Sequence, residues 1–165
     1  MKEDVYLYKS EIVAAYIAAK LNNQKIFCNI TKIQKLLYVA YGACLFIQDT
    51  RLTNEHPQAW PYGPVFPTTR NKLSKECLDD IDINEKRFDE IREDKETNNL
   101  IDFVFEGFAK STASQLTIWS HKPCSPWDYT TREKDFKWGD RISDVLIKEY
   151  FSKIIKINGK SQGEN

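Results

Sequence analysis

The sequence predicts a mainly α chain: a single compact helical domain with a small β-hairpin and a proline-rich elbow. Three observations predict it. Apolar residues recur at helical spacing in several separate segments. The run Ala59-Trp-Pro-Tyr-Gly-Pro-Val-Phe-Pro67, with Pro57 just before it, gathers four of the six prolines. No helix interior tolerates that density, because each ring fixes φ and removes a backbone donor, and the residue ahead of each proline leaves the α region too. Finally, no internal repeat or low-complexity tract interrupts the chain.

Ser10 opens a first helix with Ile12, Val13, Tyr16, Ile17 and Leu21 on one face and Asn22-Asn23 as its stop. Thr31 with Gln34 three residues later has the form of a capping box, so a second helix is expected to begin there. In it Ile33, Leu36, Leu37, Ala40, Tyr41, Cys44 and Leu45 form a stripe, and Tyr38, Val39, Phe46 and Ile47 fill much of the other face. A helix apolar nearly all round is a central one. Arg51-Leu52 and Gln58-Ala59-Trp60 flank a polar turn and are expected to pair as the hairpin. After the elbow, Thr68 or Thr69 caps a brief helix toward Leu73.

Asp79 to Glu96 is dense in charge, with Ile81, Ile83, Phe88 and Ile91 as its few apolar anchors. It reads as an exposed helix, a mobile loop, or part of each. Ile101, Val104, Phe105 and Phe108 make the next helical stripe, starting at Leu100. Ser111 to His121 forms a short helix carrying Leu116 and Trp119, and Pro123 and Pro126 then break the chain before Trp127. Ser143 caps the last helix, with Leu146, Ile147, Tyr150, Phe151 and Ile154 inward and Lys148, Lys153 and Lys156 outward. The domain is assigned to residues 1–157, with a polar, flexible tail over 158–165.

Lys+Arg and Asp+Glu each number 24, giving a formal net charge of +0. Phosphate contacts dominate nucleic-acid affinity, so the missing basic surplus disfavours a DNA or RNA module. Cys28, Cys44, Cys77 and Cys124 are scattered, with no C-x-x-C pair and only two histidines, which argues against a structural zinc site and against a disulfide framework. Free thiols and no signal peptide lead to the expectation of a cytoplasmic protein. The longest apolar run, Leu36 to Ile47, falls short of the roughly 20 residues a bilayer crossing needs. Asn29-Ile-Thr31 is formally a glycosylation sequon, but in that compartment Thr31 is read as a helix cap.

Three blocks together resemble the Panacea domain, the SocA-like antitoxin family found in bacteria and their prophages. They are Ile33-Gln-Lys-Leu-Leu-Tyr-Val-Ala-Tyr-Gly42, the elbow Ala59–Pro67, and Ser114-Gln-Leu116 followed by Ser120-His121 and Pro126-Trp127. The closing helix, Ile142 to Phe151, is similar as well, and the order holds from about Ser10 onward. Ser120 stands where the family has threonine, and Tyr41-Gly-Ala-Cys44 where Gln-Gly-Trp is more usual. The resemblance implies neutralisation of a cognate toxin protein by direct contact, with delivery to a ClpXP-type protease as a variant mode. It implies no catalytic residue, cofactor or metal.

Candidate partner-binding residues are Tyr6, Tyr8, Trp60, Tyr62, His121 and Trp127. Trp60 and Tyr62 are either core anchors or exposed contact residues, since tryptophan and tyrosine lead among interface hot spots. Tyr6, Leu7 and Tyr8, if exposed, form an apolar patch. The acidic stretch is a solvated face or a steering field for a basic toxin. Two other classes remain. His121, Cys124 and Asp128 would serve a thiol hydrolase only if the histidine reached the thiol; otherwise His121 caps its helix end or bonds a backbone carbonyl. A DNA-binding regulator would show salt-sensitive binding. A His56/His121/Asp metal site has too few ligands.

Overall fold

The computed structural model describes residues 5–155. Strand β1 (Tyr6–Tyr8) leads into helices α1 (Ser10–Asn23) and α2 (Ile30–Gln48), then strands β2 (Arg51–Thr53), β3 (Gln58–Trp60) and β4 (Gly63–Val65). The remainder is helical: α3 (Pro67–Leu73), α4 (Asp89–Glu93), α5 (Lys95–Phe108), α6 (Ala113–Ser120), α7 (Pro126–Thr131) and α8 (Asp144–Ile154). The mainly α fold class therefore holds. The residues assigned to the tail, 158–165, and Lys156 lie outside the described residues.

Everything packs on α2. Lys32 through Leu45 are buried without a break, and α1, α5, α6 and α8 all lean on it. Its 19 residues and mean hydropathy of 1.3 reach what a membrane crossing needs, a correction to the shorter run expected. With 78% of that stretch buried, the other elements cover it as a central core helix. Gly42 lets α8 lie close, because a Cβ there would stand 2.2 Å from the Phe151 ring. The start of α2 differs from expectation too. Asn29, not Thr31, is the cap, its side chain accepting from Lys32 N at 2.8 Å. Thr31 is exposed and Gln34 is engaged elsewhere, so the Thr31–Gln34 capping box does not form.

The strands pair differently from the expected hairpin. β2 runs parallel to β1, with Tyr6 opposite Arg51 and Tyr8 opposite Thr53. The hairpin lies wholly inside the elbow: β3 pairs antiparallel with β4, Ala59 opposite Pro64 and Trp60 opposite Gly63, with Pro61-Tyr62 as its turn. Arg51-Leu52 is thus claimed by the N-terminal strand, which short propensity signals cannot foresee.

Helix ends supply two further corrections. α3 starts on Pro67 and takes no cap from Thr68 or Thr69. Its free N–H groups are met from outside, where Glu55 accepts from Thr68 N at 2.7 Å and Thr69 N at 2.9 Å. α7 begins on Pro126 with Ser125 as cap, so a proline read as a breaker is a helix start. The acidic stretch resolves into two 3-10 turns, Leu78–Asp80 and Lys86–Phe88, and α4, pinned by buried Ile81, Phe88 and Ile91. α8 keeps its Ser143 cap and buries Ile147 and Phe151, but Ile154, expected inward, is exposed.

Candidate functional site

The elbow is held by side chains from three other parts of the chain. Trp127 Nε1 of α7 donates to Trp60 O at 2.8 Å. His121, the C-cap of α6, places Nε2 2.9 Å from Pro61 O. Lys35 of α2 donates from Nζ to Pro64 O at 3.0 Å, and Gln34 Oε1 accepts from Phe66 N at 2.6 Å. Along the hairpin's outer edge, Ala59 N donates to Asp140 O and Gly139 N to Ala59 O, at 2.8 and 2.9 Å. Those bonds point Ala59 away from its partner, which is why Pro64, lacking an N–H, fits opposite it.

Gly63 makes this arrangement possible. Its φ of 108° is a conformation L side chains rarely adopt. A Cβ there would fall 2.6 Å from Ser120 Oγ and 3.2 Å from Lys35 Nζ. The ammonium therefore tucks beneath the one residue that leaves room for it. Lys35 is 2% exposed and forms no ion pair among the described residues. Burial lowers its pKa to about 8. Beside it, Gln34 Nε2 is buried with no hydrogen-bond partner in the structure.

Above this floor opens a groove of about 520 Å³, lined by Gln34, Lys35, Trp60, Tyr62, Arg70 and Thr117 among others, with no carboxylate among them. Trp60 is 42% and Tyr62 76% exposed, so the core-anchor reading of both is corrected. They stand at the tip of a hairpin whose backbone is fixed on both edges. Trp127 is half-buried, stacked edge-on with His121 at 4.0 Å between centroids, and lies beside Trp138 at 6.3 Å.

Of the six residues singled out in the sequence, Trp60, Tyr62, His121 and Trp127 thus meet at the elbow. His121 and Trp127 act there as its fasteners. Tyr6 and Tyr8 belong to β1, outside this assembly. Tyr6 and Leu7 are exposed, whereas Tyr8 is half-buried and donates to Asp94 Oδ2 at 2.6 Å. Burial and the adjacent Asp94 push the Tyr8 hydroxyl pKa up. Sequence reasoning passed over Lys35, Arg70 and Trp138, and took Gln34 only as the capping-box partner of Thr31. The available signal was a Gln-Lys pair at the start of a helix otherwise apolar all round, and a tryptophan inside a charged loop.

The thiol-hydrolase geometry does not form. His121 Nδ1 lies 2.6 Å from Thr117 O while Nε2 faces Pro61 O, so both ring nitrogens are engaged with carbonyls. Cys124 lines a separate cavity with Tyr129, and its backbone N–H donates to Asp128 Oδ2 at 2.8 Å. His56 lies in a separate polar knot. Arg51 and Arg141 both approach its Nε2, while Nδ1 lies 3.1 Å from the Tyr41 hydroxyl, which donates to Asp144 at 2.5 Å. Burial pushes the Asp144 carboxyl up, but His56, 3.7 Å away, and the hydrogen bond from Tyr41 outweigh it and hold its pKa below the usual range. The two histidines share no ligand set, and among the described residues no three His, Cys, Asp or Glu side chains are grouped to hold a metal ion.

Residues 33–128, more than half of the 165-residue chain, match the family model described as antitoxin SocA-like, Panacea domain. That span starts one residue before Gln34 and ends one after Trp127, enclosing the elbow and its fasteners. The chain is also similar to Antitoxin SocA of Caulobacter vibrioides (strain NA1000 / CB15N), 28% identical over 134 residues that cover 72% of this chain and 69% of that protein. No solved structure matches it.

Proposed function

The chain belongs to the antitoxin SocA-like, Panacea-domain family, and from that premise we propose that it silences a cognate toxin by direct contact through the elbow face. The supporting observation is the exposure of Trp60 and Tyr62 on a hairpin fastened by Lys35, His121 and Trp127. Large aromatics held rigid before binding lose little entropy on docking, and a few such anchors dominate interface energy. Ordinarily so much exposed aromatic surface in one place marks a contact site. A patch of about 800 Å² per partner is enough for a specific complex.

The test is co-expression. The reading frame beside this gene is induced alone and together with the chain, and growth is followed. The reading expects arrest alone, rescue together, and recovery of the two proteins as a complex. A harmless neighbour, or rescue without any complex, counts against it.

A further inference from the structure

Resting on that reading, we propose that the elbow groove receives an acidic side chain of the partner protein, its carboxylate seated between Lys35 and Gln34. Two donors carry the argument. The Lys35 ammonium has three N–H groups and one acceptor, Pro64 O. Gln34 Nε2 has none. Buried donors left unmatched cost free energy, and a carboxylate accepts several hydrogen bonds at once. Both residues line the same groove, and its other charged wall, Arg70, is also a cation.

Charge sets the class of ligand. One buried ammonium balances one negative charge, which a carboxylate brings; a phosphate dianion would leave its second charge to Arg70, which is exposed and screened by solvent. The site's surroundings set its source. Trp60 and Tyr62 stand exposed at the groove's lip, where a small acid would leave them uncovered and a protein surface would cover them. Burial already holds the lysine near 8, so a carboxylate neighbour would restore its charge more fully.

Gln34→Glu is the discriminating variant. It keeps the oxygen that accepts from Phe66 N and replaces the unmatched amide with an internal carboxylate beside Lys35, so the fold is retained while the seat is filled. The full chain, with lysines labelled at 13Cε, is titrated by NMR with N-acetylglutamate α-methylamide, N-acetylglycine and inorganic phosphate. The proposal expects a saturable shift of the Lys35 signal with the glutamate probe, weakened at least tenfold in Gln34→Glu. It also expects that variant to bind the toxin at least tenfold more weakly at a melting temperature no lower than that of the wild type. No saturable shift, or tighter binding of phosphate or of the terminal carboxylate of N-acetylglycine, overturns it. Full toxin affinity in Gln34→Glu overturns it as well, and leaves neutralisation itself standing.

Discussion

Gly63 carries two constraints at once, a φ of 108° and a missing Cβ where Ser120 and Lys35 press in. Gly63→Ala is expected to cost at least about 2 kcal/mol, read as a lowered midpoint in urea, since strain and overpacking act together. Lys35 makes a pH-dependent prediction. Its pKa falls from 10.5 to about 8 on folding, so below 8 the buried charge is a full penalty. Between those values the unfolded chain keeps a proton that the folded chain has released, and stability rises with pH. The stability of wild type relative to Lys35→Met should therefore grow by about 3 kcal/mol from pH 7 to 10.5; parallel profiles would refute it. Neither residue's role was fully legible in the sequence. Proline and glycine density exposes the elbow, but a lysine on a helix is ordinarily solvated, and only the hairpin folded over it shows otherwise.

At the scale of elements, periodicity located α1, α2, α5, α6 and α8 because each carries enough apolar residues to display 3.6-residue spacing. What it could not show is decided between elements. Which short strand pairs with Arg51-Leu52 depends on β1, remote in sequence. The cap of α3 comes from Glu55, twelve residues before the helix starts at Pro67. Glu55→Ala should cost about 1–2 kcal/mol by chemical denaturation, the usual loss of a helix cap. Gly42→Ala tests the central packing: its methyl would meet the Phe151 ring, separate α8 from α2, and destabilise by about 1–3 kcal/mol. A substitution tolerated there would mean that the two helices lie farther apart.

Over the whole molecule, three stretches far apart in sequence form one device. The α2 start provides the floor, the elbow provides the aromatic tip, and the α6–α7 junction provides the fasteners. This accounts for the resemblance blocks lying where they do, since each supplies one part of the same assembly. It also separates presentation from support: Trp60 and Tyr62 side chains face outward, while the bonds fixing the hairpin run mainly through its backbone. The most direct measurement is toxin affinity of the Trp60→Ala/Tyr62→Ala chain, by calorimetry, alongside its melting temperature. Loss of affinity by about 100-fold or more at near-constant melting temperature is predicted from the usual weight of aromatic hot spots. Undiminished affinity would contradict the assignment of the elbow as the toxin-binding face.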